Sequence, residues 1–128
     1  MIRVPVSIGE LLDKITILRI KSERIADPAK LHNVRKELAL LDEVAQDLPA
    51  PNGIGELVAQ LKAVNEKLWD IEEEIRQCEQ RRDFGARFIE LARAVYHQND
   101  HRGALKRQIN QLLGSELIEE KDYSTQAG

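Results

Sequence analysis

Apolar residues recur at helical spacing along most of this chain, and where the spacing lapses the residues are those that start or stop helices. Ile2, Val4 and Val6 open the chain with a different pattern, alternating with polar or small residues as in a short strand. A lone strand needs a partner. The segment Glu116-Leu117-Ile118-Glu119 is the internal candidate for a two-stranded ribbon, and a partner chain is the alternative. Ser7-Ile8-Gly9-Glu10 then has the form of a capping box. The Ser7 hydroxyl would accept from the Glu10 N–H, and the Glu10 carboxylate would reach back to the Ser7 N–H.

The first predicted helix runs to about Ala26. Ile8, Leu11, Leu12, Ile15, Leu18 and Ile25 make one stripe, but Ile17 and Ile20 fall off it. A helix apolar on more than one face is packed by more than one partner, so this helix is central or lies at a subunit interface. Asp27-Pro28 ends it and begins the next, Pro28 in the first turn and Asp27 as the cap. Leu31, Val34, Leu38, Leu41, Ala45 and Leu48 keep a three-four spacing until Pro49-Ala50-Pro51-Asn52-Gly53 breaks it. Ile54, Leu57, Leu61, Val64, Leu68, Ile71, Ile75 and Cys78 carry the same spacing through a third helix. These two helices are expected to pair as an antiparallel hairpin with a coiled-coil-like seam.

Beyond Cys78 the seam positions fall on Arg81 and Arg82, with Asp83-Phe84-Gly85 after them. Either Asp83 caps a new helix or one helix runs on with a change of phase. Phe84, Phe88, Ile89, Leu91, Ala92 and Val95 form a broad face to about Gln98, and Asn99-Asp100 is expected to interrupt it. A last helix with Leu105, Ile109 and Leu112 stops at Gly114, a natural left-handed C-cap. The tail 122–128 is small and polar and is expected to be disordered. The expected fold is one all-α domain spanning residues 1–128, an antiparallel bundle of four to five helices.

Composition sharpens this picture mainly by exclusion. At 128 residues, 42% hydrophobic and 32% charged, the chain can build a core under a heavily solvated surface. The single cysteine, Cys78, permits no disulfide within the chain and fits a reducing compartment. It reads as a buried seam residue rather than a reactive thiol. No signal-peptide pattern and no membrane-length apolar run occurs, so a cytoplasmic protein is expected. A net charge of -3 gives no general attraction to nucleic acid or anionic membrane, and aromatics at 4% are too few for base stacking.

The charge is unevenly placed. Residues 49–80 carry three basic and seven acidic groups, whereas 81–110 carry seven basic and three acidic. Within the basic segment, Arg82, Arg93, Arg102 and Lys106 with Tyr96 and Asn99, joined by Lys14 of the first helix, form a candidate site. It would suit a carboxylate or phosphate, because the arginine fork matches such anions. Against this stands internal pairing of the arginines with Glu72, Glu73 and Glu79. Asp13 aligns with Ile17 and Ile20 and is expected to be partly buried.

Other constellations are weaker. Asp70, Glu73 and Glu74 share a face but lack the second acid motif of helical nucleotide pyrophosphohydrolases, so they read as a solvated stripe. His97 and His101 would face together only on an unbroken helix, and no third zinc ligand has suitable spacing. No phosphate loop or nucleophile–base pair is present; no metal and no cofactor is expected.

Val4-Pro5-Val6-Ser7-Ile8-Gly9-Glu10-Leu11-Leu12-Asp13-Lys14-Ile15-Thr16-Ile17-Leu18 resembles the opening of a small bacterial family known only as a domain of unknown function. The resemblance continues through Leu68-Trp69-Asp70-Ile71-Glu72, Phe88-Ile89-Glu90-Leu91-Ala92-Arg93, Val95-Tyr96, Asn99-Asp100 and Glu119-Glu120-Lys121. It implies no catalytic residue, and it implies a link to bacterial surface-sugar assembly, beside which members are met. In outline alone the chain is similar to the all-helical chorismate mutases. Arg19 or Arg24 would take the place of their first-helix arginine, but the surrounding spacing does not match.

The function expected is that of a cytoplasmic helical binding or accessory protein, forming a homo-oligomer, a dimer, through helix 1. The alternative is a small enzyme or sensor acting on an anionic metabolite held by the basic cluster. A protein partner or a small anionic ligand follows from one or the other; nucleic acid and membrane do not.

Overall fold

The structure, a computed structural model, describes residues 1–123. It is all-α, with four helices: α1 (Ile8–Arg24), α2 (Pro28–Ala45), α3 (Ile54–Gln80) and α4 (Ala86–Leu113). Local signals place the first two starts. Ser7 Oγ accepts from the Glu10 N–H at 3.1 Å and Asp27 Oδ2 from the Lys30 N–H at 2.9 Å, with Pro28 in the first turn of α2.

Helix α1 is the centre of the bundle and packs against each of the other three helices. Leu12, Ile15, Leu18 and Ile20 are all buried, together with Asp13 and Thr16. Its second apolar face is therefore covered within a single chain. The dimer expected through helix 1 loses the observation that motivated it.

The expected pairing of the second and third helices is not the one found. No residue of α2 comes within 8 Å of α3, Cα to Cα; α2 packs on α1, and none of its residues is fully buried. The long partner of α3 is α4. They have 27 and 28 residues, about 40 Å each at 1.5 Å per residue, whereas the 18-residue α2 spans only about 27 Å. Only α4 can cover the whole three-four stripe of α3.

The main core joins Leu12 and Ile15 of α1 to Leu61 and Val64 of α3 and to Leu105, Ile109 and Leu113 of α4. The stripe of α2 closes it from the side, with Leu38, Leu41 and Ala45 half-buried against this cluster. Burying such aliphatic side chains stabilises the fold by about 1.5–3 kcal/mol each before entropy is counted. Cys78 and Leu91 are buried between α3 and α4 towards their connecting turn.

That turn decides between the two readings of Arg81 to Gly85. The helix ends. Arg82 adopts φ 52, its N–H donates to the Glu79 carbonyl at 3.0 Å, and the Asp83 N–H donates to the Cys78 carbonyl at 2.9 Å. These are the paired bonds of a Schellman C-cap, here with arginine where glycine is usual. Asp83 Oδ1 accepts from the Gly85 N–H at 3.2 Å, and α4 follows.

The interruption expected at Asn99-Asp100 does not occur; α4 runs through it to Gly114, which takes φ 66. Asn and Asp cost only a few tenths of a kcal/mol in a helix, and the continuous inner face of Leu91, Leu105 and Ile109 outweighs that. There are four helices among the described residues, not five. No strand forms among the described residues, and Ile2, Val4 and Val6 are exposed, so the terminal ribbon is not found. Ser115 to Lys121 is instead tied to α1 and α4 by side chains. Asp122 and Tyr123 are exposed, and the rest of the tail, 124–128, lies outside the described residues. No helix among the described residues is long and apolar enough to cross a membrane.

Candidate functional site

Helices α1 and α4 run in opposite directions, so the start of α1 meets the last turns of α4. Glycine lets them come close. A Cβ on Gly9 would lie 2.6 Å from the Lys106 carbonyl oxygen, and the Gly9 N–H donates to Asn110 Oδ1 at 2.6 Å. The Ile8 N–H donates to Ser115 Oγ at 3.1 Å, and Ser7 serves Glu10. The first amide N–H groups of α1, which a helix start leaves without partners, are thus taken by the chain itself.

One turn further in, Asp13 is 1% exposed. Arg102 grips it with two donors, Nε to Oδ1 at 2.9 Å and Nη2 to Oδ2 at 2.5 Å. Asn65 Nδ2 donates both to Asp13 Oδ1 and to Thr16 Oγ1 at 2.9 Å, and the Thr16 hydroxyl donates to the Asp13 carbonyl at 2.7 Å. The hydrogen bond that Arg102 donates to Asp13, aided by the fields of Asp13, Glu10 and Glu119, holds the Arg102 guanidinium above its ordinary value despite partial burial.

Lys106, one turn along α4, lies between Glu10 at 2.6 Å and Glu119 at 3.0 Å. Burial works against its charge, but bonds to these carboxylates outweigh it and leave its pKa raised. Burial likewise opposes ionisation of Glu119. The hydrogen bond and charge of Lys106, with the Ser7 hydroxyl, prevail, so the Glu119 carboxyl sits below its ordinary value. Arg107 engages Glu120 through both guanidinium tips, at 3.0 and 3.3 Å, and Lys121 donates to the Asn99 carbonyl at 3.1 Å. Between α4 and residues 119–123 lies an open groove of about 840 Å³.

The candidate residues read from the sequence fall into separate groups. Asn99, Arg102 and Lys106 are brought together, Asn99 accepting from Arg102 at 3.4 Å. Lys14 turns to Glu37 of α2 at 3.0 Å. Arg93 and Tyr96 contact each other at 3.4 Å on the exposed side of α4, and Arg82 caps α3. The carboxylates that meet Arg102 and Lys106 are those of α1 and the C-terminal segment, not Glu72, Glu73 or Glu79.

Glu72 pairs with Arg76 and Glu73 accepts from the Trp69 indole, while Arg24 sits 5.8 Å over the Trp69 ring and bonds Asp70 at 2.6 Å. Glu74 pairs with Arg87, which lowers the carboxyl pKa. The acidic stripe of α3 is therefore engaged by cations and an indole. His97 and His101 share a face of the unbroken α4, where His97 packs on the Tyr96 ring at 4.7 Å.

Asn65, Asn110 and Gly9 belong to this cluster and were not singled out by pattern as working residues. The only signal for them is an asparagine directly after a core position, at Val64-Asn65 and at Ile109-Asn110.

A family model described as a family of unknown function (DUF6165) matches residues 2–128. The chain belongs to that family. The match extends over the opening segment, the polar cluster and the C-terminal segment alike. No curated protein and no solved structure matches the chain.

Proposed function

We propose that this chain is a binding or accessory module of the cytoplasm, without catalysis of its own, working through the polar end where α1, α4 and the C-terminal segment meet. One observation carries the reading: the three cations that α4 presents at this end are each met by a carboxylate of the same chain, in pairs Arg102–Asp13, Lys106–Glu10 and Arg107–Glu120. Asp13, the most buried acid, accepts three hydrogen bonds from Arg102 and Asn65 and is all but closed to solvent, an arrangement that suits holding Arg102 rather than taking a proton from a substrate. Such a network orients and holds. The groove beside it is of the size that takes a small molecule. The resemblance to proteins met beside surface-sugar assembly makes that pathway the place to seek the ligand.

The test is a thermal-shift screen against phosphosugars, nucleotide sugars, nucleotides with Mg²⁺ and small aromatic carboxylates, with each mixture also assayed for consumption of the compound. Binding at 100 times the dissociation constant adds about 2.7 kcal/mol, which raises the melting temperature by on the order of 10 °C. Stabilisation without consumption is the expected result. Turnover of any compound would replace the reading with an enzyme.

A further inference from the structure

Residues 115–123 leave Gly114 and return along α4, yet they are scarcely packed on it. Leu117 and Ile118 remain 45% and 46% exposed, and among the described residues the one backbone–backbone hydrogen bond that leaves the segment is from the Ser115 N–H to the Asn110 carbonyl. The Ile8 N–H on Ser115 Oγ fixes its start, and beyond that what holds the segment is mainly charge: Glu119 on Lys106, with the Ser7 hydroxyl donating to Glu119 as well, Glu120 on Arg107 and Lys121 on the Asn99 carbonyl. Surface ion pairs of this kind contribute little singly, so such a segment is readily displaced. It also stands off the helix, leaving the groove between. The floor is low at Gly103, where a Cβ would meet the Lys121 side chain at 3.1 Å.

With the segment displaced, Arg107 loses Glu120 and Lys106 keeps only Glu10. Arg102, Lys106 and Arg107 then face Asp13 and Glu10 alone, one positive charge in excess. The forked contact of Arg107 with the Glu120 carboxylate is the geometry in which a guanidinium takes two phosphate oxygens.

We infer that Lys106 and Arg107 form a binding site for a phosphate-bearing small molecule, and that Glu119 and Glu120 occupy it as a built-in competitor until the ligand displaces them. This rests on the binding-module reading above and names its ligand chemistry. The amides of Asn99, Gln108 and Gln111 line the same groove and serve the rest of the ligand.

Pyrophosphate is the probe, used on the full-length chain by calorimetry. The Glu119→Gln/Glu120→Gln variant should bind it about tenfold more tightly than the parent, the release of two exposed ion pairs worth somewhat under 1 kcal/mol each. Glu116→Gln, which removes one carboxylate charge from the same segment away from these cations, should match the parent. Arg107→Gln, an exposed position, should abolish binding in both backgrounds while circular dichroism shows an unchanged melt.

In the parent, pyrophosphate should move the Ile118 and Lys121 amide signals towards random-coil positions. Equal affinity in parent and Glu119→Gln/Glu120→Gln, or unmoved segment signals in a saturated parent, would overturn the competitor. Absence of pyrophosphate binding in every variant would overturn the phosphate site and leave the module reading to its own screen.

Discussion

Arg102 and Asp13 show how one pair of residues organises this protein from within. Asp13 is all but excluded from water, so its charge is tolerable only because a guanidinium and an amide reach it. Removing one partner costs more than the pair is worth, because the other is left stranded. Arg102→Ala should therefore lose about 2–3 kcal/mol in urea titration, at or just below the bottom of the range for fully buried pairs since Arg102 itself is partly exposed. Arg102→Lys should recover only part, having a single nitrogen for two oxygens. Replacing both Asp13 and Arg102 by leucine should cost less than Arg102→Ala alone; a larger loss would mean that the pair is a net stabiliser. The sequence pointed to Asp13 as partly buried and to Arg102 as a cation awaiting an anion, but not to their meeting. They lie 89 positions apart, whereas the Ser7 cap, resolved over three positions, was legible at once. Glu10 illustrates the same limit. The capping box sent its carboxylate to the Ser7 N–H, a local partner, and the fold offers it Lys106, 96 positions away and charged.

At the scale of whole helices, hydrophobic spacing placed the first three but split α4 at Asn99-Asp100, and it did not give their pairing. The stripes of α2 and α3 carry the same spacing, so either could face any partner; matched length selected α4 for α3. Breaks were legible where backbone chemistry is strong, as at Asp27-Pro28 and Gly114, and not where it is weak, as at Asn99-Asp100. The α3–α4 turn shows what this leaves hidden. Arg82, proposed from the sequence as a ligand residue, instead occupies the left-handed position of a C-cap, a conformation costing a side chain about 1–2 kcal/mol. Arg82→Gly should relieve that strain, less some entropy gained by the unfolded chain, for a net gain of about 0.5–1 kcal/mol. The melting temperature should rise by roughly 2–5 °C. A fall would mean that the Arg82 side chain contributes contacts worth more than the strain, and would return it to the list of working residues.

For the molecule as a whole, the two ends of the described chain are brought together at one place, and acid should separate them. Glu119 faces the Lys106 ammonium, the Glu10 carboxylate and the Ser7 hydroxyl. Its pKa is lowered in the folded chain, so folding favours the ionised form. The sign follows from that: the contribution is complete above the ordinary carboxylate value near 4.3 and disappears as pH falls through the lowered value. Lys106 works in the opposite sense, its raised pKa giving a contribution present below the ordinary lysine value near 10.4 and lost only above it. Between these limits the C-terminal segment stays docked, which covers neutral pH. Amide spectra recorded from neutral pH into the acid range should show Ile118 and Lys121 released only once the pH falls below the ordinary carboxylate range, while Leu105 and Ile109 in the core hold their positions. Glu119→Gln should flatten most of that transition, because the amide neither titrates nor attracts Lys106. If the segment signals instead move together with those of the core, its docking is part of global folding. The C-terminal segment would then be a structural element of the bundle and not a competitor that a phosphate could displace.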